Sequence, residues 1–248
     1  MPGKQIRRWT VLAIAIVLFA ILVSQSGWWE TAFKFMFPQQ GQVLHPRASL
    51  GVLVTEHLRL VLISSGLTIL VALPLGVWVT RPAGRDFLPM VSDFTALAQT
   101  FPPVAVLAIA VPVLGFGIAP TIVALFLYGL LPVVRNTIAG LNAVPSAVLD
   151  SAYGMGMSRT QALYRVELPL SARIIIAGIR ISVIINIGTA MIGAVIGAGG
   201  LGSPIVAGLF QFNLAFILEG AIPAALMAII ADQIFANIEG LFVYSDRR

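Results

Sequence analysis

The feature that most narrows what this chain can fold into is a series of apolar runs, each about twenty residues long, recurring through most of its 248 residues. A helix that crosses a hydrocarbon core of about 30 Å needs about 20 such residues. The runs lie at 9–27, 58–80, 87–113, 118–134, 174–196 and 217–240. The chain is 58% hydrophobic and 10% charged, whereas a soluble domain is about 45–50% apolar and about 25% charged. So few charges cannot cover so much apolar surface in water. The expected fold is therefore all-α: a polytopic helical bundle of about six transmembrane helices, one membrane domain whose surface faces the lipid bilayer.

The first run also has the marks of a signal peptide: Lys4, Arg7 and Arg8 ahead of it and the small-x-small site Ser24-Gln25-Ser26 behind. Its length and the closing Trp28-Trp29 pair, suited to the membrane interface, favour retention as a helix. With the N-terminus cytoplasmic, six spans return the C-terminus to the cytoplasm. Lys4, Arg7, Arg8, Arg81, Arg85, Arg135, Arg159, Arg165, Arg173, Arg247 and Arg248 then lie inside, eleven against Lys34, Arg47 and Arg59 outside. That asymmetry is the positive-inside bias. The chain divides into an N-terminal helix and external loop (1–55), a transmembrane domain (56–240) with a cytoplasmic segment at 135–173, and a cytoplasmic tail (241–248).

The same counts exclude several function classes. A net charge of +5 would suggest nucleic acid in a soluble protein, but the basic residues stand singly between apolar runs, so no nucleic acid is expected. There is no cysteine, and His45 and His57 lack ligand spacing, so no metal site is expected. Neither a Ser/His/Asp set nor a cysteine nucleophile is present, and no catalytic residue is assigned.

Two runs carry interruptions. Phe101-Pro102-Pro103 and Pro112 sit in the third. Proline removes a backbone donor and disfavours helix in the preceding residue, so this span should be kinked or broken and lie inside the bundle. Gly193, Gly197, Gly199, Gly200 and Gly202 end the fifth. Ser203-Pro204 then resembles a helix start, with Ser at the cap, giving a short external or re-entrant segment at 203–212.

The longest segment between runs, 135–173, lies on the cytoplasmic side. It reads Asp150-Ser151-Ala152-Tyr153-Gly154-Met155-Gly156, nine further residues, then Val166-Glu167-Leu168-Pro169. An intermittent apolar pattern stops at Gly154 and Gly156, Ser158 is placed to cap a second helix, and Pro169 is placed to end it. The expectation is two short helices joined by a glycine turn, with an exposed apolar side that needs a protein partner.

At these residues the chain resembles the inner-membrane permeases of ABC importers. Their cytoplasmic motif is Glu-Ala-Ala, three residues, Gly, nine residues, Ile-x-Leu-Pro. Asp150, Ser151 and Ala152 stand for its head, Gly156 for its glycine, and Val166, Leu168 and Pro169 for its close. The departures, Asp for Glu, Ser for Ala and Val for Ile, are mild. The resemblance implies a type I ABC importer permease-like fold in the cell inner membrane. It also implies a coupling helix seated in a groove of an ABC ATPase subunit, a second permease subunit (the same or a different chain), and an external substrate-binding protein. Gln99-Thr100-Phe101-Pro102-Pro103, Leu114-Gly115-Phe116-Gly117-Ile118-Ala119-Pro120 and 130–137 are similar to the osmoprotectant branch, which imports glycine betaine, choline, carnitine and related compatible solutes. The likeness covers roughly 58–232. Rival readings are a permease for another small solute such as an amino acid, and an ion-coupled secondary transporter.

The lysines supply an independent observation. A phosphate-cradling loop needs Gly-x-x-x-x-Gly-Lys-Ser/Thr, and Lys4 and Lys34, the only lysines, stand in no such context. The chain is thus expected to be a transport subunit without an ATPase site or a cofactor of its own, ATP being bound by the partner.

Three charges fall within spans. Arg180 and Asp232 lie seven to eight residues from the cytoplasmic ends of theirs, about 10 Å deep at about 1.5 Å per residue, and Asp93 is at a comparable level. A lone charge there costs at least about 2.5–3.5 kcal/mol, so Arg180 is expected to pair with Asp232 or Asp93. The polar residues within spans, Ser64, Ser65, Thr68, Gln99, Tyr128, Asn186 and Thr189, are the pathway candidates, although Ser and Thr also bond to their own helix carbonyls.

Overall fold

A computed structural model describes residues 2–242, with side chains from residue 5 onward. The side chain of Lys4, and residues 243–248 with Arg247 and Arg248, lie outside the described residues. Helices follow in the order α1 (Pro2–Ser24), α2 (Ser26–Met36), α3 (Leu50–Val79), α4 (Leu88–Thr100), α5 (Pro103–Leu114), α6 (Ile118–Asn142), α7 (Ser146–Gly154) and α8 (Arg159–Ala162). A π turn (Leu163–Glu167) leads into α9 (Leu168–Thr189), a 3-10 turn (Ala190–Ile196) follows, and α10 (Gly202–Gln211) and α11 (Leu214–Glu239) close the chain. No strand occurs among the described residues. Five helical stretches are long and apolar enough to cross a membrane, and α4–α5 makes a sixth if it counts as one span.

α6 is the hub, packing against α9, α3, α4 and α5. Lipid tails are as apolar as leucine, so helices in a bilayer associate through close packing of small residues rather than through the hydrophobic effect. The hub follows that rule. A Cβ added at Gly76 of α3 would lie 2.8 Å from Thr137 Cβ on α6, and one at Gly178 of α9 would lie 2.7 Å from the Pro132 carbonyl oxygen. Two apolar clusters flank the hub, one around Leu60, Val61, Leu125 and Ile187, the other around Ala72, Val79, Leu130 and Val133.

The interrupted third run is broken at Phe101–Pro102, and its two halves are bent by 94°. Phe101 is extended (φ −64°, ψ 130°), as the residue before a proline should be. The first run is a continuous helix lying along α11 with Leu12 buried. Of the tryptophan pair only Trp28 is exposed; Trp29 is buried against Phe33 and its Nε1 donates to the Leu22 carbonyl at 2.8 Å.

Several boundaries differ from the sequence expectation. The division at 55/56 falls inside α3, because nothing between Leu50 and Leu58 breaks a helix. α6 continues past residue 134 to Asn142: Pro132 costs one backbone donor without stopping the helix, whose buried face packs on α3 and α9. The segment between α6 and α9 therefore begins near Ala143, not Arg135. Pro169 does not end a helix. The π turn just ahead of it, in which Leu168 N–H donates to the Leu163 carbonyl, re-registers the backbone so that Pro169 falls in the first turn of α9, where its missing donor is tolerated. The segment thus ends at Leu168 rather than Arg173. Ser203 is not a cap either; α10 starts at Gly202 after Leu201, with Pro204 buried in its first turn. α11 starts at Leu214, three residues ahead of 217, because the Asn213 side chain accepts from Phe216 N–H at 3.3 Å.

The bundle has two chemically distinct ends. One carries Arg81, the α7–α8 segment and the π turn. The other carries the 38–49 connection and the glycine run before α10, where Gly200 N–H donates to Glu56 Oε2 at 2.8 Å and His45 N–H to Glu219 Oε2 at 2.7 Å.

Candidate functional site

The α7–α8 segment is built as a helix stop and restart. After α7 the chain closes a Schellman-type cap: Met157 N–H donates to the Ala152 carbonyl at 3.1 Å and Gly156 N–H to the Tyr153 carbonyl at 2.9 Å. Such a cap needs a left-handed residue at its C′ position, and Gly156 supplies it with φ +81°. Ser158 then caps α8 reciprocally with Gln161, Gln161 N–H to Ser158 Oγ at 3.3 Å and Ser158 N–H to Gln161 Oε1 at 2.9 Å. This is a capping box. The glycine and Ser158 therefore have separate jobs: one ends a helix, the other begins the next.

Of the motif residues, Asp150, Ser151 and Gly156 are exposed, Ala152 is buried, and Val166, Leu168 and Pro169 are half-buried where the segment meets the bundle. Around them Tyr153, Met155 and Tyr164 are 42%, 72% and 66% exposed, so this end of the molecule presents large apolar side chains on a short, stiffly turned element. A cleft of about 760 Å³ beside it is lined by Arg81, Tyr153, Met157, Arg159 and Leu163, among others.

The root of the segment carries an ion pair. Arg81, two residues past α3, donates from Nη1 to Glu167 Oε1 at 2.8 Å and from Nη2 to Glu167 Oε2 at 2.6 Å. Glu167, the last residue of the π turn, is only 3% exposed. Sequence reasoning missed this pair. From the sequence, Arg81 reads only as a topology-setting charge and Glu167 only as the variable position of the motif. The one available signal was an acidic residue beside the start of an apolar helix, with an arginine at the end of another.

Within the spans, Arg180 meets Asp232: Nη2 and Nε lie 2.6 Å and 2.7 Å from Oδ1, and Nη1 lies 3.4 Å from Glu239 Oε1. Asp93 does not join them. It is exposed on α4, which packs on α6 rather than on α9. Glu239, two turns beyond Asp232 on the same helix face, takes the place foreseen for it.

The pathway candidates separate into two groups. Ser64, Ser65, Thr68 and Asn186 are buried together where α3, α6 and α9 meet. Asn186 Nδ2 donates to Ser65 Oγ at 3.1 Å, while Ser64 and Thr68 donate to their own helix carbonyls at Leu60 and Ser64, at 2.8 Å and 2.9 Å. This seam stitches helices and is closed to solvent. Tyr128 and Gln99 are half-buried on the other flank of α6, near the α4–α5 bend. Tyr128 OH donates to the Phe101 carbonyl, capping the backbone freed by the break. An apolar groove of about 310 Å³ lined by Phe94, Leu97, Phe101, Val106 and Ile109, among others, opens beside them. Thr189 is half-buried at the last residue of α9, one turn beyond Asn186. Among the described residues no cluster of three His, Asp or Glu side chains is arranged to hold a metal ion.

At the opposite end, His45 packs edge-on to Phe216, with ring centroids 5.9 Å apart. Burial, and secondarily the charge of Arg47, hold its imidazole below the ordinary histidine value.

The sequence pattern of the family described as binding-protein-dependent transport system inner membrane component matches residues 72–242. The osmoprotectant import permease protein OsmY of Salmonella typhimurium is 42% identical over 181 residues, 73% of this chain and 77% of that protein. The glycine betaine/carnitine/choline transport system permease protein OpuCB of Bacillus subtilis is 44% identical over 184 residues, 74% and 84% of the two chains. The fold is similar to that of a chain in an inward-facing structure of the MetNI methionine ABC transporter, with a TM-score of 0.69 at 21% identity, covering 78% of this chain and 95% of that one.

Proposed function

The chain belongs to the family of inner-membrane components of binding-protein-dependent transport systems, and from that premise we propose that it is the permease subunit of an ATP-driven importer for a compatible solute such as glycine betaine, choline or carnitine. The observation that carries the reading is the exposed α7–α8 element, stiffened by the Gly156 cap and the Ser158 capping box and bearing Tyr153 and Met155 outward. It has the rigidity and the apolar face that a groove in a second protein would engage. Asp150 and Ser151 are its exposed motif residues, Gly156 fixes the turn between its helices, and the buried Ala152 with Val166, Leu168 and Pro169 roots it in the molecule.

The partner in that groove is an ATPase subunit. This chain brings no phosphate-cradling loop of its own, so ATP binds there and the chain acts as a transport subunit rather than an enzyme. The α7–α8 end then faces the cytoplasm together with both termini, consistent with the charge asymmetry between the two sides. The opposite end faces an external binding protein that selects the solute. The α4–α5 bend, with Gln99, Tyr128 and its apolar groove, faces the pathway, which a second permease subunit completes. The relatives named above, from two organisms, carry osmoprotectant, glycine betaine, carnitine and choline in their descriptions, and this supports the solute class.

The test is reconstitution in vesicles with the candidate ATPase and binding protein, following uptake of labelled glycine betaine, choline and carnitine. Uptake that requires ATP and the binding protein is the expected result. Uptake that proceeds without ATP on an imposed ion gradient would overturn the reading in favour of a secondary transporter.

A further inference from the structure

We propose that Arg81 and Glu167 form a strut that carries displacement of the α7–α8 segment into α3, making them positioning residues for coupling rather than a simple surface ion pair. The inference rests on the proposed role of that segment as the ATPase contact.

The geometry is unusually complete for a pair so near the surface. Arg81 uses both terminal nitrogens on the two carboxylate oxygens of Glu167, at 2.8 Å and 2.6 Å, and its Nε donates to Thr80 Oγ1 at 3.2 Å. Thr80 Oγ1 in turn donates to the Val77 carbonyl in the last turn of α3 at 2.7 Å. Every nitrogen of the guanidinium is thus engaged, and its plane is fixed to the end of α3 as well as to Glu167. A lysine offers a single point charge and cannot hold both directions at once.

Both ends of the strut are anchored in closely packed elements. Val79 is fully buried in the second apolar cluster, and Gly76 brings the same end of α3 against Thr137 of α6 at near-contact distance. Glu167 is 3% exposed and ends the π turn. A π turn inserts one residue into a helix and so rotates everything before it relative to everything after it. Here it sets the angle between α8 and α9, and the residue that closes it is the one Arg81 grips.

Space on one flank completes the case. The cleft of about 760 Å³ is bounded by Arg81 on one wall and by Tyr153, Met157 and Leu163 on the other. Neither α7 nor α8 packs extensively on α3, and the ion pair is a polar link from the end of α3 to the root of the segment. Without it, movement of the segment would reach α3 through the packing of α3 on α6 and α9 and not from the segment directly. α3 contributes Ser64, Ser65 and Thr68 to the bundle interior, so it must follow if the interior is to rearrange with ATP.

The experiment uses the assembled transporter in vesicles, with the chain as wild type, E167Q, R81K, R81E and the exchanged pair R81E/E167R. Association with the ATPase, ATP hydrolysis and labelled-solute uptake are measured together. We expect E167Q and R81K to assemble normally, yet to move about fivefold less solute per ATP hydrolysed, the lower end of ordinary coupling strengths, with the exchanged pair recovering part of what R81E loses. A merely structural pair would lower assembly and leave the ratio of uptake to hydrolysis unchanged, which would overturn the proposal, as would an exchange no better than R81E alone. A wild-type chain that recruits no ATPase would defeat the reading of the segment itself, an outcome distinct from normal recruitment with unaltered coupling in the variants.

Discussion

Arg180 on α9 directs Nη2 and Nε onto a single oxygen of Asp232 on α11, at 2.6 Å and 2.7 Å, and leaves Nη1 to reach Glu239 at 3.4 Å. One cation thus faces two carboxylates on one side of α11, and the three groups are each partly accessible, 29%, 33% and 16% by side chain. The arrangement answers the cost of placing a charge within a span, since each ion has an opposite partner.

Removing Asp232 leaves Arg180 with its longer contact to Glu239 only. A lone central charge costs at least about 2.5–3.5 kcal/mol in a bilayer, and the remaining carboxylate and partial exposure reduce that. We expect Asp232→Ala to lower stability by about 1–2 kcal/mol, and the double variant with Arg180→Ala to lose less than the sum of the singles. Thermal unfolding of the solubilised subunit measures both. Strictly additive losses would show that the contact contributes nothing.

Helix crossings give a sharper contrast. A Cβ at Gly178 would come within 2.5 Å of Asn136 Cβ and 2.7 Å of the Pro132 carbonyl, whereas one at Gly188, on the same stretch of α9, meets nothing within 4 Å. Gly178→Ala should destabilise by about 1–3 kcal/mol through overpacking of backbone. Gly188→Ala should be neutral or stabilising by up to about 1 kcal/mol, from helix propensity. Equal midpoints for the two variants in the same unfolding assay would contradict the α6–α9 packing.

These contrasts also mark what the sequence could and could not disclose. The spans were legible because a bilayer imposes length and apolarity on each helix separately, and the α4–α5 break because Pro102 acts on its own neighbour. The turn at Gly156 was legible for the same local reason. Where α6 ends was not, since its continuation to Asn142 goes with tertiary packing, Gly140 fitting against Ser171 of α9. Pro169 misled because a proline reads as a stop unless a π turn upstream re-registers the backbone. The Arg81–Glu167 pair joins residues 86 apart, and Glu239 displaced Asp93 beside Arg180. Neither follows from depth in the bilayer, which ranks charges by level and not by which helix packs on which.

The connection between α2 and α3 should loosen in acid. Burial and then Arg47 lower the His45 pKa, so on acidification the opened connection takes up a proton before the packed one does. Stability is unaffected above the unfolded value of about 6.5 and is lost as pH falls through it toward the lower folded value. The groups facing His45 are Arg47, which opposes its protonation, and Glu219, whose carboxylate accepts its backbone N–H at 2.7 Å. Hydrogen-exchange protection of residues 38–49 should therefore fall as the pH drops below about 6.5, and His45→Gln should flatten that change. Protection that stays constant in the wild type would refute it.

Gly156 offers the most selective test of the proposed ATPase contact, because its backbone and its surroundings make different demands. Its φ of +81° is one that a β-branched residue resists, yet a Cβ there would meet nothing within 4 Å. Substitution therefore acts through the Schellman cap alone and not through a clash inside this chain. Asparagine tolerates the left-handed region and alanine does so at a cost of about 1 kcal/mol. Valine should be worse still, and each step loosens the turn that orients Tyr153 and Met155. The expected order of ATPase association is wild type, Asn, Ala, Val, with the thermal stability of the spans nearly unchanged, since α7 and α8 lie outside the bundle. Binding measured on the solubilised subunit with the purified ATPase checks the order. If valine binds as well as wild type, the fixed turn is not what the partner reads; if every substitution including asparagine abolishes binding equally, the partner contacts the glycine surface itself and the cap is incidental.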